Sequence, residues 1–187
     1  YVKDWDTFLD TARTIKEKSY GSTKILSSND DVQNVFWSNK SSPWVDENKN
    51  FIYDTSLDKM LDVEYALDQE NLTCKTICWT DEWNAGPSTD EVFSYFGCTW
   101  FLHWTIKANC GGEAVGEGTY GDWAMCQGPS TYYWGGTWLC ALQNCSDKEL
   151  AGKIMKVLCC DTDIMTKMSE ETLDYVNNKA AMKTLSD

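Results

Sequence analysis

Four stretches of the chain set apolar residues three and four apart behind a helix-capping signal, and the runs between them are short, aromatic and β-branched. In "DWDTFLDTARTIKEKS" the stripe is Trp5, Phe8, Leu9, Ala12 and Ile15, with Asp4 or Asp6 as cap and Gly21 after the end. In "TSLDKMLDVEYALDQE" it is Leu57, Met60, Leu61 and Tyr65, opened at Thr55. Ser88 and Glu91 form a capping box before the short "DEVFSYF", closed by Gly97, and Ser146 and Glu149 form another before "KELAGKIMKVLCC". Between these lie strand-like runs: part of "STKILSSNDD", Phe51–Tyr53, "CTWFLHWTI" (Cys98–Ile106), "DWAMCQGP" and "TWLCAL". Strands alternating with helices predict an α/β fold, a mixed sheet flanked by helices. The stretch "VQNVFWSNKSSPWVDENKN" is expected to be a loop.

At 187 residues the chain is long enough to bury a sizeable core without staples. Its net charge of -13, spread along the chain, repels a phosphate backbone, so no nucleic-acid partner is expected. The nine cysteines lack metal-site spacing, and His103 is the sole histidine. Most of the cysteines sit in apolar runs and are expected to be reduced core thiols; no metal or cofactor is expected. No apolar run is long enough to span a membrane. The chain shows no signal peptide, and both ends are expected to be cut ends of a longer protein.

Catalytic patterns are scarce. A histidine-dependent triad would need His103, which is expected to be a packed core histidine. No phosphate loop is present, since "GGEAVGEG" lacks the lysine and hydroxyl residue of such a loop. Asp81 and Glu82 lie between two tryptophans in "WTDEW", which suits a carbohydrate hydrolase if their separation is right. No catalytic residue is assigned.

The ten tryptophans carry the clearest functional signal. Indole faces stack on the C–H patches of sugar rings while carboxylates and backbone groups bond the hydroxyls. "WTDEW" supplies Trp79, Asp81, Glu82 and Trp83; "YYWGGTW" supplies Trp134 beside Gly135 and Gly136, which admit a ligand close to the backbone. Trp5, Trp37, Trp44 and Trp123 are expected in the core, and Trp100 and Trp104 on one face of a strand, as core or cleft floor.

The chain also resembles a known family. "TWLCALQNCSDKELAGKIMKVL", "GDWAMCQGPSTYYWGGTW", "WDTFLDTA", "VFSYFGCTWFL" and "DYVNNK" are similar, in order, to segments of the sugar-binding lipoproteins of ATP-binding-cassette importers. The resemblance implies a type II periplasmic-binding-protein-like fold. Residues 1–134 would be most of the second lobe, and residues 135–187 a strand and helices returning to the first lobe. The N-terminal lobe and the C-terminal helices would be absent. By position it places Trp79, Trp83, Trp104 and Trp134 in a sugar cleft, with Gly135 and Gly136 offering backbone groups; Asp81 and Glu82 are added on chemical grounds. It implies an oligosaccharide ligand, a membrane permease as partner, a monomeric intact protein and an extracellular, lipid-anchored location. The expected function is therefore capture of an oligosaccharide for import, without catalysis. The alternatives are a hydrolase using Asp81 or Glu82, and a scaffold with an aromatic core and no ligand.

Overall fold

The structure is a computed structural model that describes residues 2–186. It divides into two compact units: one runs to Gly97 and takes in Thr105–Trp134, the other comprises Cys98–Trp104 and the chain from Gly135 onward.

The first unit is built on the amphipathic stripes. Asp4 opens α1 (Trp5–Lys18) by accepting a hydrogen bond from the Thr7 amide at 2.7 Å, which satisfies one of the amides the first turn leaves unpaired. Trp5, Phe8, Leu9 and Ala12 are buried along one face. They share a core with Met60, Val63 and Leu67 of α3 (Asp58–Gln69) and with Val32, Val35 and Phe36. The last two belong to α2 (Gln33–Ser38), a short helix in the stretch expected to be a loop. Trp5 stacks on Phe36 with ring centroids 4.5 Å apart. Lys59 reaches Asp6 at 2.6 Å near the start of both long helices, and the Arg13 guanidinium forks onto Glu70 at 2.6 and 2.7 Å just past the end of α3. These two ties fix α1 and α3 side by side in the same direction. The buried face of α3 is rotated from the expected one: Leu61 and Tyr65 are exposed, and Val63 and Leu67 are inside.

The expected mixed sheet is not formed. The described chain is 49% helical and 3% strand, with no β-sheet among the described residues. Backbone pairing does occur around Lys24–Ser27, flanked in parallel by Leu72–Thr76 and Glu91–Ser94, but it is confined to the isolated bridges Leu26↔Thr73 and Lys24↔Val92. Val45 and Phe51 form a third, antiparallel bridge. The segment with the capping box at Ser88 and Glu91 is extended, not helical. "DWAMCQGP" and "TWLCAL" form neither helix nor strand.

The largest correction is Cys98–Ile106. Instead of a strand it coils into α5 (Thr99–Phe101), a π-helical turn at Leu102–Ile106 and α6 (Lys107–Asn109), one after another without a break. A continuous apolar run is compatible with either state, because β propensity measures fit to a pleated neighbour more than backbone preference. Here Phe101, Thr105 and Ile106 are buried at helical spacing while Leu102 and Trp104 face solvent. Trp104 therefore does not lie on a strand floor with Trp100.

The second unit contains α7 (Lys148–Cys160), α8 (Thr162–Thr172) and α9 (Lys179–Ser186). Asp147 caps α7 by accepting from Leu150 N at 2.8 Å, in place of the expected Ser146. Met165, Val176 and Ala181 form a small core between α8 and α9. The Thr99 hydroxyl bonds Asp174 at 2.6 Å.

All nine cysteines are free thiols, and the expected burial in a core holds for Cys110 alone. No described helix is long and apolar enough to cross a membrane. No group of three or more His, Cys, Asp or Glu among the described residues is arranged to hold a metal ion.

Candidate aromatic binding site

Trp79 occupies the left-handed backbone region, with φ of 68°. A large side chain at positive φ costs on the order of 1 kcal/mol or more, and such strain persists only where surrounding structure imposes it. The ring is nonetheless 49% exposed. Immediately after it, Thr80 caps α4 (Asp81–Ala85), accepting from the Trp83 amide at 3.4 Å and donating to the Ile77 carbonyl at 2.7 Å. The left-handed turn and the cap together bring Trp79 onto Trp83, centroids 4.8 Å apart and planes inclined by 46°.

Trp83 is sealed, at 1% exposure. The array continues on both sides. Trp134 meets Trp79 edge-on at 6.3 Å and Tyr132 meets Trp134 at 6.0 Å. Tyr95 meets Trp83 edge-on at 5.1 Å, and Trp123 lies 5.7 Å from Tyr95. The Tyr132 hydroxyl donates to the Gly97 carbonyl at 2.9 Å, anchoring the segment that carries Trp134. Tyr95 donates to the Trp83 carbonyl at 3.3 Å, and a Cβ on Gly86 would collide with that hydroxyl, so only glycine leaves room for it.

Beneath the array lies a polar cluster. Asp31 Oδ1 accepts from the Trp83 indole Nε1 at 3.0 Å and from the Cys78 thiol at 3.3 Å, and Oδ2 accepts from Ser28 N at 3.0 Å. The Ser28 hydroxyl in turn accepts from Asp30 N at 3.1 Å, so Asp31 is also the far arm of a capping box. Asp31 is 4% exposed. Burial raises its pKa to about 6, against the lowering effect of its hydrogen bonds from Ser28, Cys78 and Trp83. Burial and the Asp31 charge push the Cys78 thiol up, and burial pushes the Tyr95 phenol up, so neither is a ready nucleophile or base.

Comparisons with protein-family models, curated proteins and solved structures returned no match.

Of the eight residues expected to contact ligand, Trp79, Trp83 and Trp134 lie in one array within the first unit. Asp81 and Glu82 are exposed on the first turn of α4, directly after Trp79 and Thr80. Trp104, 59% exposed, and Gly135 and Gly136, both exposed, belong to the second unit. Gly135 has φ of 83°, and a Cβ on either glycine would meet open space. Trp37 and Trp44, expected in the core, are about half exposed at 50% and 47%. His103 is half-buried beside Trp104, with its Nδ1 buried and without a hydrogen-bond partner among the described residues. The residues that sequence reading missed are Asp31, Cys78 and Tyr95. The one local signal was "SNDD", where Ser28 precedes Asp31 by three in capping-box spacing.

Proposed function

We propose that the protein binds carbohydrate on the surface formed by Trp79 and Trp134, without catalysis. The observation that carries this reading is Trp79 itself: a tryptophan kept at positive φ, half in solvent, on a buried second tryptophan. Five other described non-glycine residues share the left-handed region, but among them Trp79 is the one whose ring lies in the tryptophan array, so the strain there points to presentation of the ring. Exposed indole faces suit the C–H patches of a sugar ring. Asp81 and Glu82, exposed on the first turn of α4 directly after Trp79 and Thr80, supply carboxylates able to accept hydroxyl hydrogen bonds.

The hydrolase alternative has less support. Glycosidic hydrolysis places two carboxyl groups on either side of the bond. Asp81 and Glu82 are consecutive on one helical turn, diverge by about 100° and both face solvent, which leaves no enclosed bond position between them. The setting implied by the sequence resemblance, delivery to a membrane permease from a lipid-anchored extracellular protein, stays part of the proposal; its support is the order of the quoted motifs, since the sheet-based fold it implied is not formed.

Intrinsic fluorescence titration with cellohexaose, xylohexaose, maltohexaose and chitohexaose tests the reading. Saturable quenching or enhancement by at least one sugar, abolished in Trp79→Ala, is expected. A flat response to all four overturns it. Release of chromophore from nitrophenyl glycosides, lost in Glu82→Gln, would favour the hydrolase instead.

A further inference from the structure

Asp31 lies below the tryptophans but is joined to them. Its Oδ1 bonds the Trp83 indole at 3.0 Å, and Trp83 carries Trp79 at a centroid distance of 4.8 Å. Three donors meet the carboxylate: the Trp83 N–H, the Cys78 S–H and the Ser28 N–H. An ionised carboxylate satisfies all three with charge-assisted bonds. A neutral carboxyl keeps weaker acceptors and turns its own O–H toward a site furnished with donors, so the polar bond that orients the indole is weakened while its packing remains.

We infer that Asp31 is the positioning residue of the tryptophan platform: its charged carboxylate fixes the Trp83 indole on which Trp79 rests, so that presentation of Trp79, and any sugar affinity of that face, requires Asp31 to be ionised. The affinity clause rests on the carbohydrate reading above; the clause on ring presentation does not.

The titratable groups around Asp31 are Asp30 on its own turn, the Cys78 thiol on the segment before α4 and the Tyr95 phenol on the extended segment after it, with Cys74 also acting on Tyr95. Burial holds the Cys78 and Tyr95 protons well above neutral pH. Substituting Asp31 alone separates its titration from that of Asp30.

The first test is near-ultraviolet circular dichroism of the Trp79–Trp83 pair, assigned as the signal lost in Trp79→Phe and followed from about pH 4.5 to about pH 7.5. The wild type is expected to gain roughly half its amplitude or more in one transition near pH 6, and Asp31→Asn to show none. Asp31→Glu, which keeps the charge, is expected to retain a transition. A flat wild-type signal, or the same transition in Asp31→Asn, overturns the inference. If Asp31→Asn fails to fold, the comparison of wild type with Asp31→Glu decides it: a transition displaced in pH supports the role, and superimposable profiles overturn it.

The second test is the sugar titration at both ends of that range. About fivefold weaker binding at the acidic end in the wild type, and under about twofold difference in Asp31→Asn, is expected. Equal pH dependence in both proteins overturns the role of Asp31. Absence of binding at every pH overturns the carbohydrate reading, while the dichroism still decides ring presentation.

Discussion

Asp31 and Trp83, 52 positions apart, meet in a buried hydrogen bond of 3.0 Å between carboxylate and indole. The bond ties the turn that precedes α2 to the middle of α4, and it lies under the most exposed ring of the array. Four outcomes follow from this arrangement.

Removing the indole N–H and removing the ring are expected to differ. Trp83→Phe keeps most of the packing but leaves Asp31 with one donor fewer, at a cost of about 1–3 kcal/mol. Trp83→Ala also opens a cavity in a site that is 1% exposed, for a loss of about 3–5 kcal/mol. Urea denaturation of the two variants against wild type checks the order.

Trp79 is expected to behave in the opposite way. Its φ of 68° is one glycine adopts freely. Trp79→Gly removes strain while losing the contacts with Trp83 and Trp134 and adding freedom to the unfolded chain, so a modest loss of stability, about 1–2 kcal/mol, is expected. Sugar-induced fluorescence change is expected to vanish in the same variant. A large loss of stability would make Trp79 a structural ring and remove the main support for a binding face.

The two half-buried tryptophans of the array, Trp134 and Trp123, are expected to separate function from packing. Trp134 borders Trp79 at 6.3 Å, whereas the Trp123 indole donates to the Pro87 carbonyl at 3.2 Å and to the Thr119 hydroxyl at 3.0 Å. Trp134→Ala is expected to weaken sugar binding by about tenfold and Trp123→Ala by less than about twofold, with Trp123→Ala the more destabilising in thermal melts. Equal losses of affinity would count against the assignment.

Stability is expected to fall as pH rises through about 6. The folded-state pKa of Asp31 is raised, so the folded protein holds a proton the unfolded chain has released. The contribution is complete below the ordinary aspartate value of 3.8 and is lost as pH passes about 6, a difference on the order of 3 kcal/mol. Asp54 acts in the reverse sense. Hydrogen bonding by the Ser56 side chain above all, then by the Ser56 and Ser42 amides, at 2.9 and 2.8 Å, and the Ser41 hydroxyl, outweighs burial and depresses its pKa. Its contribution is present above the ordinary aspartate value and is lost only in stronger acid. Denaturant melts across this range should show the slope between about pH 4 and about pH 6 in wild type and a clearly smaller one in Asp31→Asn, where the half-buried Glu64, also raised by burial, still contributes.

Local chemistry written in consecutive residues was legible. Apolar stripes placed α1, α3 and α7, because a period of 3.6 is read within one segment, but only the α1 cap fell where expected: Asp54 caps the turn before α3 in place of Thr55, and Asp147 caps α7 in place of Ser146. The clustering of tryptophans with Asp81 and Glu82 marked the neighbourhood of the array. What tertiary structure alone decided depends on contacts between distant segments. Whether Lys24–Ser27 and its neighbours lengthen into a sheet, whether Cys98–Ile106 coils or extends, which side of α3 turns inward, and whether Trp79 or Trp83 faces water are all set by what packs opposite. Asp31 is one of 29 acidic residues, and the capping-box spacing from Ser28 is the one local mark it carries; that spacing announces a turn, not a buried carboxylate under two tryptophans. Its raised pKa comes from burial, and its partners Cys78 and Trp83 reach it only once the chain has folded over it.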